Sequence, residues 1–143
     1  MYSKILVGFD GSEASYKAVM KAADLAQTMG ADLIIVSVVP PPTALLGELM
    51  TPEVIDPKPL ADAARSAIKR LKEKLEKEKG VTPETEVLLG DPAEAIVELA
   101  KEKGADLIVL GRRGLSRLER LFVGSVTRKV LERAETDVLV VID

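Results

Sequence analysis

The sequence predicts an α/β domain: a single doubly wound open sheet of five parallel strands in the order 3-2-1-4-5, with four helices. Short apolar runs alternate with segments of helical periodicity along all 143 residues, a pattern that calls for a parallel sheet covered on both faces. The run Gly30-Ala31-Asp32-Leu33-Ile34 returns as Gly104-Ala105-Asp106-Leu107-Ile108, so two helices enter their following strands by the same device. Two such half-units, joined by right-handed crossovers, most naturally set the first strand beside the fourth, at the point where the winding reverses.

Each element has its own signal. The first strand covers about residues 3–9. A helix from about Ser12 to Met29 shows a narrow apolar stripe of Ala18, Val19, Ala22, Ala23 and Ala26, and Gly30 ends it. The second strand is Asp32 to Val39. A second helix runs from about Leu60 to Lys79 on the spacing of Leu60, Ala64, Ile68, Leu71 and Leu75, with Gly80 as its stop. After a third strand, Glu84 to Leu89, Asp91-Pro92-Ala93-Glu94 supplies an N-cap, a first-turn proline and an N3 glutamate. Gly104 closes that helix, the fourth strand follows, a helix runs from Ser125 to about Ala134, and a strand over 137–142 ends the sheet. Residues 40–59 break the rhythm with six of the eight prolines. A connection this long in a small domain is usually either a functional lid or a mobile excursion, and its apolar middle, Leu45 to Met50, is expected to pack on the binding crevice or on a second subunit in preference to free disorder.

Composition narrows the chemistry. With no cysteine and no histidine, disulfides, thiolate metal sites and imidazole acid-base catalysis are excluded. Any metal would be a hard ion held by carboxylates and phosphate oxygens. A length of 143 residues suits one domain spanning 1–143. No apolar run approaches a membrane span and no signal segment opens the chain, so a cytoplasmic protein is expected. The absence of Asn, the single Gln27 and the 30% charged residues match a bias of heat-adapted proteins, pointing to a thermophile.

Charge is unevenly placed. The net charge is -3, yet residues 111–133 hold seven basic residues against Glu119 and Glu132, a local +5. A basic field confined to a glycine-rich turn suits a small polyanion better than nucleic acid. The turn itself is Gly111-Arg112-Arg113-Gly114, nine further residues, then Gly124-Ser125-Val126-Thr127, between an apolar strand and a helix. Glycines let backbone N–H groups crowd an anion, and a helix start adds open donors and partial positive charge. Ser125, Val126 and Thr127 are candidate phosphate contacts, with two hydroxyls among them, although Ser125 also reads as an ordinary cap. Gly111 and Gly114 double as strand-exit turn residues, and Arg112 and Arg113 as solvated surface cations. Asp10, at the end of the first strand, suits a ribose hydroxyl or a phosphate-bound metal, and equally a cap on the helix near Ser12. The crevice outside the carboxyl ends of the first and fourth strands is where a sheet of this order binds ligands.

The spacing Gly-x2-Gly-x9-Gly-Ser resembles the nucleotide-binding signature of the ATP-binding branch of the universal stress protein family. The opening strand Lys4 to Ser12 and the closing strand Asp137 to Ile142 are similar to that family's ends. This resemblance implies a homodimeric ATP-binding regulatory protein of the stress response that recognises a further protein partner, with Mg2+ or Mn2+ beside the phosphates. It also implies nucleotide contacts from Gly8, Phe9 and Asp10, and adenine contacts from the backbone of Val38. Phe9 departs from the small or hydroxylic residue common there, and Arg112-Arg113 from a pair that often holds histidine.

An enzyme on the same sheet, a slow ATPase or nucleotidyl transferase, is the alternative. The chain lacks the Gly-x-x-x-x-Gly-Lys-Ser/Thr loop and any evident base, so no catalytic residue is assigned and hydrolysis is expected to be very slow at most. Val138 to Ile142 form an apolar edge without lysine or proline, which pairing with a second copy would cover.

Overall fold

The computed structural model describes residues 1–41, 56–112 and 124–142. Among them the elements run β1 (Lys4–Gly8), α1 (Glu13–Met29), β2 (Asp32–Val39), α2 (Lys58–Lys79), β3 (Glu84–Leu89), α3 (Pro92–Lys103), β4 (Leu107–Gly111), α4 (Ser125–Arg133) and β5 (Asp137–Val141). All pairings are parallel and the order is β3-β2-β1-β4-β5, so the expected α/β sheet and its winding are those found. The middle of the proline-rich stretch, together with Arg113 and Gly114, lies outside the described residues.

Period-two alternation along the central strands divides the core between the two faces. Ile5, Val7, Leu33, Ile35, Leu107 and Val109 face the alanine stripe of α1 and the Ile68, Leu71 and Leu75 row of α2. Leu6, Ile34, Val36, Ile108 and Leu110 face Ile96, Leu99 and Ala100 of α3 and Val130 of α4. The alanines of α1 are short, so this helix lies close to the middle of the sheet.

One helix start differs from expectation for a local reason. Helix α2 begins at Lys58, with Pro59 inside its first turn, where a missing N–H costs nothing because that donor has no helical partner. The last helix begins at Ser125 as expected, and its cap is Gly124, so Ser125 is not an ordinary cap.

At the amino-terminal edge of the sheet the repeated pentapeptide shows its purpose. Gly30 and Gly104 both adopt the left-handed conformation (φ 67° and 71°), which an L side chain adopts only at a cost. The next amides, Ala31 and Ala105, donate back to Ala26 and Ala100, and then Asp32 and Asp106 donate their N–H to the carbonyls of Ser3 and Lys4. Strand β1 is thus gripped from both sides by copies of one turn. The second copy adds its side chain: the Asp106 carboxylate accepts from Ser3 N at 2.9 Å, Ser3 Oγ at 3.1 Å and Lys4 N at 3.0 Å.

Those bonds, led by the one from Lys4 N, hold the Asp106 carboxyl below its ordinary pKa, against an opposing contribution from partial burial. A depressed carboxylate stabilises the fold fully above its unfolded pKa, and that stability is lost as pH falls below about 4 and through the folded value. Asp106→Asn, which turns one acceptor oxygen into a donor facing Ser3, should therefore lower Tm by a few degrees at pH 7. The difference from wild type should shrink toward pH 2, as thermal melts across that range will show.

Candidate functional site

The carboxyl ends of β1, β2 and β4 and the start of α4 meet at one edge of the sheet. Beyond Gly8 the chain is fixed by serines. Phe9 N donates to the Val36 carbonyl at 2.9 Å, and the Phe9 carbonyl accepts from Ser37 Oγ at 2.8 Å. Asp10 N donates to Ser15 Oγ, whose own proton goes to the Ser12 carbonyl. The exposed Asp10 carboxylate accepts from Ser12 N at 2.9 Å through Oδ1, while Ser12 itself caps α1 by accepting from Ser15 N. Asp10 therefore braces the turn into α1, and the helix cap is Ser12.

Ser15 and Ser37 were not singled out by motif. Both are buried polar residues, and the signal was present: Ser37 interrupts the apolar run Leu33–Val39, and Ser15 sits on the buried face of α1. Each satisfies backbone that turns away from the sheet, where an unpaired polar group would be costly.

Strand β2 outreaches β1. The last residue pair between them is Gly8 with Val36, and the Val36 carbonyl faces β1 because Phe9 N reaches it. Directions alternate along a strand, so the N–H and C=O of Val38 point the same way, past the end of β1, and no described residue pairs with them. Val39 faces β3, where its carbonyl accepts from Gly90 N. The half-buried Val38 side chain packs on the same apolar cluster as Val126 from α4.

The glycines serve packing more than ligand access. A Cβ on Gly111 would lie 2.9 Å from both the backbone carbon and oxygen of Ala14, so only glycine lets α1 close over the end of β4. A Cβ on Gly8 would meet Leu110 Cδ2 at 3.0 Å and Ile96 Cδ1 at 3.4 Å. The space beside each is filled, and a ligand could meet only their backbone. Gly124 differs, since its φ of -61° and ψ of 157° suit any residue.

Helix α4 starts without a side-chain cap. Gly124 N donates to the Arg112 carbonyl at 2.7 Å, Arg112 N donates to the Val141 carbonyl, and the first helical bond runs from Arg128 N to Gly124 O. The N–H groups of Ser125, Val126 and Thr127 are thus left with no partner among the described residues. Of the two hydroxyls expected to face a phosphate, only Ser125 is exposed. Thr127 is buried and its Oγ1 donates to the Gly111 carbonyl at 2.8 Å. Gly8, Phe9, Asp10, Val38, Gly111, Arg112 and Gly124 to Thr127 all belong to this edge.

The comparisons with known proteins agree in one family. The universal stress protein family model matches residues 1–141. The chain belongs to the universal stress protein family. It is similar to the universal stress protein YxiE of Bacillus subtilis, with 39% identity covering 99% of each chain. Among solved structures it resembles a universal stress protein in complex with cAMP, at TM-score 0.70 and 31% identity over 98% of this chain and 96% of that one. It also resembles one from Archaeoglobus fulgidus in complex with dAMP, at TM-score 0.61 and 25% identity over 97% of each. No described helix is long and apolar enough to cross a membrane.

The contact at Gly111 generates a direct expectation. Gly111→Ala pushes a methyl into the Ala14 backbone, which cannot swing aside as a flexible side chain would. Overpacking of this kind costs about 1–3 kcal/mol, and urea denaturation should show a midpoint lowered accordingly with an unchanged m-value.

Proposed function

We propose that this universal stress protein binds an adenine nucleotide, ATP with Mg2+ or Mn2+, at the carboxyl edge of β1, β2 and β4, and acts as a cytoplasmic, homodimeric regulatory switch in the stress response. One observation carries the reading: a glycine-capped helix start whose first three N–H groups have no partner among the described residues stands at the strand-order reversal, beside a strand whose next backbone groups likewise have none. Helix starts of this kind favour anions through donors and dipole together.

The residues divide the ligand between them. The Val38 N–H and C=O, pointing one way, match the acceptor and amino donor on one edge of adenine, with Val126 and Val38 side chains offering apolar cover. Asp10, with Oδ1 engaged by Ser12 N, presents its remaining oxygen to a ribose hydroxyl or a metal. Ser125, Val126 and Thr127 offer N–H groups to phosphate, joined by the Ser125 hydroxyl, and the local basic field of Arg112, Arg113 and their neighbours favours a polyanion. Gly114 would take part by backbone approach. Among the described residues no cluster of three carboxylates could hold a metal, so the ion would be bound mainly by phosphate oxygens and water, with Asp10 as its protein ligand. The bound cAMP and dAMP of the related structures share with ATP an adenine and a phosphorylated sugar, which supports the division.

The alternative, a slow ATPase or nucleotidyl transferase, would need a group to orient water or a second substrate, and among the described residues in the turn after β1 only Glu13, ion-paired with Lys17, adds a carboxylate to that of Asp10. Gly124→Val leaves allowed backbone angles but sets a branched side chain over the open N–H groups. Calorimetry should show ATP binding by wild type and none by the folded variant, and equal affinities would move the site elsewhere. Any phosphate release by the wild type should stay far below the ~1–100 turnovers per second of complete phosphoryl-transfer sites. A rate near one per second that disappears in Gly124→Val favours the enzyme.

The dimer in this proposal uses β5. On its outer side β5 has no strand partner among the described residues, and Ile142, which follows it, is exposed. Antiparallel pairing of two copies would cover this edge with two-fold symmetry. Sedimentation should therefore show a wild-type dimer and a monomeric Val140→Lys variant, and a wild type that stays monomeric at all concentrations removes this interface.

A further inference from the structure

We propose that Thr127 is a positioning residue for the phosphate site and not a ligand through its side chain: its hydroxyl, given to the Gly111 carbonyl, fixes the direction in which the start of α4 points its open N–H groups. This inference rests on the nucleotide-binding reading and specifies how that site is held.

The start of α4 is attached to the sheet at two points among the described residues. One is the backbone bond from Gly124 N to the Arg112 carbonyl. It fixes the cap residue, and a glycine cap adds no side-chain bond of its own, while Val126 and Val130 pack the helix on the sheet without setting hydrogen-bond directions. The second is the bond from Thr127 Oγ1 to the Gly111 carbonyl, three residues further on. Two attachments define a direction where one defines only a point. The receiving carbonyl belongs to a residue packed so closely on Ala14 that a Cβ would not fit, and the next amide, Arg112 N, is bonded to the Val141 carbonyl.

Thr127 is only 4% exposed, and a hydroxyl has a single proton. Spent on Gly111, that proton is not available to a phosphate. Threonine's branched Cβ limits χ1 to few rotamers, so the bond also holds the side chain in one pose.

The test compares ATP with adenosine, since only ATP uses the helix start. In Thr127→Val the shape is kept and the proton removed. ATP affinity should fall about tenfold while adenosine affinity stays within about twofold, in keeping with the loss of one buried hydrogen bond. Thr127→Ser, which keeps the donor, should restore most of the ATP preference. Val130→Ala, which loosens the same helix elsewhere, should lower Tm without changing the ratio of the two affinities. An unchanged ratio in Thr127→Val, or an equal change in Val130→Ala, overturns the proposal while leaving nucleotide binding intact. A wild type that binds neither ligand overturns the functional reading and this one with it. Should Thr127→Val not fold, NMR of the wild-type protein decides: the Thr127 hydroxyl proton should stay coupled to the Gly111 carbonyl with and without ATP, and a switch to coupling with phosphorus on ATP addition would make Thr127 a ligand.

Discussion

The candidate site depends on how closely the first turn of α1 sits on the end of β4. With no Cβ at Gly111 the two backbones touch, and the Ala14 carbonyl group occupies the volume a side chain would need. That contact fixes the turn over Phe9 to Ser12 relative to the end of β4. Through the bonds at Gly111 and Arg112 it also fixes the start of α4. A wider separation would move the carboxylate of Asp10 away from the open helix donors by the thickness of a methyl group. Small residues along α1, five of them alanines on its buried face, extend the same close approach across the sheet.

The edge is built mainly from backbone groups held by hydroxyls. Ser15, Ser37 and Thr127 are the buried polar residues among those described, and each bonds to main chain at this edge. Neutral donors suit the task, since they satisfy turning backbone without the desolvation cost of a buried charge. The result, among the described residues, is an edge with preset donor directions beside the exposed carboxylate of Asp10.

Much of the fold was legible because it is locally encoded. The repeated Gly-Ala-Asp-Leu-Ile run announced both half-units and hence the strand order, and the helix ends at Gly30, Gly80 and Gly104 are the left-handed caps that glycine signals. Features that depend on distant neighbours were less visible. Nothing around Thr127 tells that its hydroxyl meets a carbonyl sixteen residues earlier, and it reads equally well as a phosphate donor. Gly8 and Gly111 were recognisable as special, but glycine admits close approach from either side. Only the packed structure reveals that Ala14, Leu110 and Ile96 are what approaches. Pro59 reads as a break when its place in the first turn of α2 is not yet known, which displaced that helix start by two residues.

The matched turns at the amino-terminal edge carry a consequence for how the molecule opens. Backbone bonds from Asp32 and Asp106 and the carboxylate of Asp106 hold β1 at that end, whereas beyond Gly8 the chain is held by one backbone bond, from Phe9 N, and by the side chains of Ser15 and Ser37. An edge held in this way is expected to open locally at lower cost than the opposite one, which hydrogen exchange would show. Occupancy would lend its free energy to the segment with the lowest cost of opening. A ligand at this edge would thus suppress the local openings that separate it, in addition to stabilising the folded chain as a whole by mass action.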